Sequence, residues 1–96
     1  MTLERLIKER SEKIERIAAK HGANNIRVFG SMVRGEVGPG SDVDILVDAG
    51  PETSSWFPAG LILELEELLQ LPVEVVTERA LNPHLRKRIL REAVPL

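Results

Sequence analysis

Asp42 and Asp44 stand two residues apart in the run Asp42-Val43-Asp44-Ile45-Leu46-Val47. In extended backbone, residues two apart share a face, so both carboxylates emerge together, opposite Val43, Ile45 and Val47. Neighbouring bare carboxylates repel unless a cation neutralises them. Magnesium takes oxygen ligands and is typically held by one or two carboxylates plus substrate phosphates. The pair therefore reads either as a magnesium ledge or as an exposed strand face that is merely acidic. Upstream, Gly30-Ser31 lies where a strand gives way to a short helix. Backbone N–H groups and the helix dipole make such a junction an anion seat. Glycine admits a phosphate close to the backbone, Ser31 adds a hydroxyl, and Arg34 one turn on offers a planar fork. The same dipeptide also serves as a plain cap. Glu74, between Val73 and Val75, needs solvent, a counter-charge or a cation. If its strand lies beside the one carrying Asp42 and Asp44, three carboxylates face the phosphate seat. That assembly suits two-metal displacement at phosphorus, with metals about 3.5–4 Å apart. Simple alternation with Glu74 at an exposed edge fits equally well. Ser41 either ends a turn or supports Asp42 by a hydrogen bond.

The elements that must position these groups follow from periodicity. Thr2 caps a first helix running to about Lys20, with Leu3, Leu6, Ile7, Ile14, Ile17 and Ala18 as its apolar stripe, Arg10 interrupting it and Gly22 closing it. Residues 25–29 form a strand with Ile26 and Val28 on one face and Arg27 and Phe29 on the other. Residues 31–34 make a helical turn stopped by Gly35, and 36–41, with Gly38, Pro39 and Gly40, a loop. Residues 42–48 form the second strand. A polar loop over 49–60 precedes a helix over 61–70 with Leu61, Leu65, Leu68 and Leu69 inward. Pro72 opens a third strand, 73–77, and Asn82-Pro83 caps a last helix carrying Leu85, Ile89 and Leu90 beside Arg86, Lys87, Arg88 and Arg91. The order implies an α/β (α+β) fold: one domain over 1–96, with a small mixed sheet of about three to four strands flanked by helices.

Composition narrows the classes. A net charge of −2 over 96 residues gives no basic excess, so direct nucleic-acid binding is not expected. The absence of cysteine excludes disulfides, thiolate metal sites and thiol nucleophiles. No apolar run approaches a membrane span, and the charged N-terminal stretch does not read as a signal peptide, so a cytoplasmic protein is expected. His21 and His84, remote from the acids in sequence, read as surface or capping residues. Trp56 and Phe57 read as a cover for the core under the long loop, with partner binding or base stacking as the alternative. The basic side of the last helix reads as a solvated face or as a steering patch for an acidic partner or triphosphate.

Taken together, Val28-Phe29-Gly30-Ser31-Met32-Val33-Arg34-Gly35 and, with ten residues between Ser31 and Asp42, Asp42-Val43-Asp44 resemble the signature of the DNA polymerase beta type nucleotidyltransferase superfamily. The resemblance covers nearly the whole chain and implies the nucleotidyltransferase fold. It also implies that Asp42 and Asp44 ligate two magnesium ions and that Gly30 and Ser31 hold the β- and γ-phosphates of ATP. Glu74 then completes the metal set and helps deprotonate the attacking hydroxyl, where the family more usually has aspartate. Arg34-Gly35 and Ser41-Asp42 resemble the minimal nucleotidyltransferases in particular. Those are commonly paired with a helical HEPN-domain toxin, which they neutralise as antitoxins by modifying a tyrosine. This chain has no tyrosine. A tyrosine acceptor must therefore belong to another protein, which makes a hetero-oligomer, alongside a homo-oligomer, an open expectation. The alternative is a catalytically weak module that neutralises its partner by contact. A small-molecule acceptor such as an aminoglycoside is disfavoured by the lack of a further domain.

Overall fold

A computed structural model of the chain describes residues 3–36 and 42–96. The expected Thr2 cap, the turn through Gly38, Pro39 and Gly40, and Ser41 lie outside the described residues. Among the described residues ten elements follow one another: α1 (Leu3–Glu9), α2 (Ser11–Lys20), β1 (Ala23–Phe29), α3 (Ser31–Arg34), β2 (Val43–Ala49), α4 (Ala59–Leu69), β3 (Val73–Thr77), a 3-10 turn (Glu78–Ala80), α5 (Pro83–Glu92) and β4 (Val94–Pro95). The expected α/β architecture is present, and its sheet is mixed. Strand order is β3-β2-β1-β4, with β1 antiparallel to β2 and to β4, and β2 parallel to β3. The parallel pair requires a crossover, which α4 supplies.

One face of the sheet carries the main core. Ile26 and Val28 of β1, Val43, Ile45 and Val47 of β2, and Val73 and Val75 of β3 are buried with Ile14 and Ala18 of α2 and Leu61, Leu65 and Leu69 of α4. Each fully buried aliphatic side chain contributes about 1.5–3 kcal/mol. The strand alternation expected from sequence therefore fixes which side chains face away, and Asp44 and Glu74 are among them. Leu46 also points away from the main core, yet it is completely buried. α5 is tied to the body near both ends. Its Arg86 donates to the Glu78 carboxylate at 3.0 Å, and near its other end Glu92 accepts from the Gly30 N–H at 3.0 Å.

Several expectations are corrected. The first helix breaks at Arg10, whose N–H is shared between the carbonyls of Leu6 and Ile7; Ile7 before the break and Ile14 after it are both buried in the core. β1 begins at Ala23, with an irregularity between Asn24 and Arg27 and Asn25 at φ +52°. Trp56 does not cover the core: it is 87% exposed, in a left-handed backbone conformation, while Phe57 packs against the core. His21 is not a surface residue. It is buried between the Ser54 hydroxyl at 2.6 Å and the Glu64 carboxylate at 2.9 Å, and so ties the 50–58 loop to α4. Lys20 also bonds Glu64, at 2.7 Å, and this hydrogen bond, followed by that of His21, holds the Glu64 carboxyl below the usual carboxylate range. Asn82 caps α5 as expected, accepting from His84 N–H at 2.9 Å, with Pro83 in the first turn. Among the described residues no helix is long and apolar enough to cross a membrane.

Candidate active site

Three strands converge on the candidate residues. In the β1–β2 register Phe29 stands opposite Asp44, so Gly30 and Ser31 follow just past it. In the β2–β3 register Asp44 stands opposite Glu74. Paired residues share a face, so Asp44 and Glu74 lie side by side, with Asp42 one alternation earlier, just before β2. The structure thus brings the third acid to the first two. Asp42 and Glu74 are exposed and Asp44 is half-buried.

The electrostatics are those of crowded like charges. Burial first, then the Glu74 charge and a side-chain hydrogen bond with Glu74, then the Asp42 charge, push the Asp44 carboxyl up to about 6, against the pull of Arg34. As placed, no group of three histidine, aspartate or glutamate side chains among the described residues closes around a cation. What the site offers is a set of hard oxygen donors short of positive charge. That chemistry fits a hard divalent cation such as magnesium.

Gly30 sits at φ +80°, ψ −151°, a conformation that side-chain-bearing residues avoid, and a Cβ there would run into the Asp44 carboxylate. Glycine is thus required twice at this position: for the backbone, and for the close passage of Asp44. Its carbonyl accepts from the N–H groups of Val33 and Arg34, which starts α3, and Gly35 in the left-handed region stops it. The Ser31 hydroxyl has no bonding partner among the described residues.

One participant is absent from the sequence reading. Both oxygens of Glu92 engage the seat: Oε2 accepts from the Gly30 N–H at 3.0 Å and Oε1 from Arg34 Nη1 at 2.6 Å. Arg34 also donates to Glu36 at 3.2 Å. Burial alone would raise the Glu92 carboxyl, but these two bonds and the charges of Arg34 and Arg88 together hold it below the usual carboxylate range. No local signal marks Glu92, because it meets Gly30 from 62 positions away. The remaining candidates lie elsewhere. His84 is exposed at the start of α5, and Arg86 is engaged with Glu78.

The comparisons with known proteins agree with this geometry. A family model described as a nucleotidyltransferase domain matches residues 4–96. A candidate protein adenylyltransferase of Methanocaldococcus jannaschii is 43% identical over 88 residues, covering 92% of this chain and 95% of that protein. The protein adenylyltransferase MntA of Thermococcus cleftensis is 42% identical over 91 residues, covering 86% and 92%. A solved structure of a candidate minimal nucleotidyltransferase superposes with a TM-score of 0.85 at 46% identity, over 100% of this chain and 97% of that one. A toxin–antitoxin structure solved with AMP-PNP shares the fold at 23% identity, with a TM-score of 0.74, over 92% and 70%.

Proposed function

The chain belongs to the nucleotidyltransferase domain family, and on that premise we propose that it moves AMP from ATP to a hydroxyl on a partner protein, with magnesium, as the antitoxin of a HEPN-type helical toxin. The observation that carries the reading is the registered Asp44–Glu74 pair beside Gly30. A carboxyl pushed up to about 6 by burial and then by neighbouring acids is a cost to the fold, and a substrate-borne divalent cation relieves it. The names borne by the relatives in Methanocaldococcus jannaschii and Thermococcus cleftensis, and a fold shared with an MntA–HepT toxin–antitoxin assembly, support a protein acceptor and an antitoxin role.

Asp42, Asp44 and Glu74 would hold magnesium, which when bound neutralises the triphosphate and the charge that builds up at phosphorus. Gly30, Ser31 and Arg34 receive the β- and γ-phosphates through the Gly30 N–H, the Ser31 hydroxyl and the Arg34 fork. Glu74, exposed at the edge of the site, accepts the proton of the attacking hydroxyl. The acceptor oxygen then attacks the α-phosphorus in line, its bond to phosphorus forms as the α–β bridging bond breaks, and pyrophosphate leaves.

The test incubates the purified chain with magnesium, α-labelled ATP and a candidate toxin partner. Label on the partner that disappears with Asp42→Asn is the expected result. A second reading, neutralisation of the partner by contact, is favoured by one observation, the Glu92 carboxylate already lying against Gly30 and Arg34. A tight complex with no label transfer would establish it and overturn the enzyme.

A further inference from the structure

We propose that Glu92 is an internal ligand of the phosphate seat, and that α5 must release it before a nucleotide can bind. The inference rests on the nucleotide site proposed above and adds a control to it.

The two donors that Glu92 occupies are two of the three groups proposed above to receive phosphate. A carboxylate presents two oxygens in a plane, and here one takes the Gly30 N–H while the other takes the Arg34 guanidinium. Arg34 and glycine N–H groups bind phosphate oxygens by the same charge-assisted bonds. Two anions cannot share one donor set, and a triphosphate arriving beside an ionised Glu92 is also repelled by it. Glu92 is firmly ionised in this position, since it is held below the usual carboxylate range.

The element carrying Glu92 is built to let go. α5 contains no fully buried residue; Leu85 is half-exposed, and Ile89 and Leu90 are only partly covered. At its beginning it is tied to the body by Arg86, which donates to the Glu78 carboxylate and carbonyl, both at 3.0 Å. Beyond its end, β4 pairs with β1 over two residues, Val94 and Pro95. Leu96 then donates its N–H to the Ile26 carbonyl at 3.3 Å and packs against the core, so the Glu92 bonds share the hold on this end of the helix with a short terminal strip. Segments with little buried apolar area open at low free-energy cost. Arg88, one turn before Glu92, keeps a cation at the same corner when the carboxylate swings away. A strut that merely shaped the seat would not need to occupy two of its anion donors.

The test measures binding of magnesium–AMP-PNP to the full chain by calorimetry, for the wild type and for Glu92→Gln, which keeps the shape and removes the charge. Glu92→Gln is expected to bind roughly three- to tenfold more tightly. Independently of any variant, hydrogen exchange of the wild type is expected to speed up across 83–95 when AMP-PNP is added, because the nucleotide displaces the latch. Weaker or unchanged binding by Glu92→Gln, or added protection of 83–95 on nucleotide binding, overturns the latch while leaving the nucleotide site intact. If neither protein binds AMP-PNP, the nucleotide site itself falls, and the latch with it.

Discussion

Asp44 and Asp48 lie on one strand, on one face, four residues apart, and their chemistry is opposite. Each has a glutamate near it from the β3 side: Glu74 beside Asp44, Glu78 just past β3 near Asp48. At the Asp48 end the negative charge is met. Asn25 donates to Asp48 at 3.0 Å, Arg27 donates to it at 2.8 Å, and Arg27 and Arg86 both reach Glu78, at 3.7 and 3.0 Å. Asn25 first, with Arg27 among the further contributors, holds the Asp48 carboxyl below its ordinary range. At the Asp44 end the acids face one another, and the nearest cation, Arg34, is engaged by Glu92. One sheet thus carries a closed acid–base network at one end and an open acid cluster at the other. A protein able to complete the first could have completed the second. That it does not is the physical argument that the second awaits a cation brought by substrate.

The largest expected difference is between the two aspartates themselves. Asp44→Asn should lower transfer at least about a thousandfold, on the order of 4 kcal/mol in the barrier, yet raise the melting temperature of the metal-free protein. Asp48→Asn should do the reverse, keeping transfer within a few-fold and lowering the melting temperature. Label transfer and thermal unfolding of the two variants side by side decide it. Equal loss of activity in both would mean that the ends are not functionally distinct.

Arg27→Met comes next. Arg27 is 11% exposed and stands between two carboxylates. Removing it leaves Asp48 and Glu78 facing each other as Asp44 and Glu74 do. A buried charge stripped of its partner is costly, and with partners that remain partly solvated the loss should be about 2–3 kcal/mol. Urea unfolding measures it, and the Asp48 carboxyl should then titrate upward in NMR. A variant that unfolds like the wild type would show that the network is ornamental.

The ends also separate by pH. Asp44, at about 6 in the fold against an ordinary 3.8, favours folding when protonated. Its contribution is complete below about pH 4 and is lost as pH rises through 6, about 1–2 kcal/mol after allowing for its partial exposure. Asp48, depressed, contributes above its ordinary range and loses that contribution as pH falls below it. Melting temperature followed from pH 4 to 7 should therefore show a falling component that Asp44→Asn abolishes and saturating magnesium suppresses. A component indifferent to both would show that Asp44 is not its source.

How the two ends came to be readable in such different degree has a physical reason. The acid end was visible because its residues obey local rules. Val43, Ile45 and Val47 alternate with Asp42 and Asp44, a glycine marks the strand–helix junction, and a helical crossover from β2 to β3 makes a parallel neighbour of Glu74. Glu92 obeys no such rule; it reaches Gly30 only because α5 brings it back to the end of β1. β4, at two residues, is too short to show alternation. His21 looked peripheral because what permits its burial, Ser54 and Glu64, lies 33 and 43 residues away. Trp56 looked like core because of its type, whereas the backbone at φ +63° directs it outward. The period of a strand is written in its neighbours; the partner of a buried polar group is not.

The smallest expected effect concerns Asn25, the first contributor to the lowered Asp48 carboxyl. Asn25 sits at φ +52° inside the irregular stretch of β1, a backbone conformation that glycine adopts without strain. Asn25→Gly therefore does two opposing things. It relieves the backbone, and it removes an exposed hydrogen bond to Asp48 whose net contribution is about 0.5–1 kcal/mol. Stability should change by less than about 1 kcal/mol in either direction, while the Asp48 titration, read by NMR, moves upward. Arg27 remains in place in this variant, so the upward movement should stop short of that in Arg27→Met. An Asp48 carboxyl left unmoved by Asn25→Gly but shifted by Arg27→Met would assign its low value to charge pairing alone, and would make the contrast with Asp44 a contrast in cations rather than in hydrogen bonds.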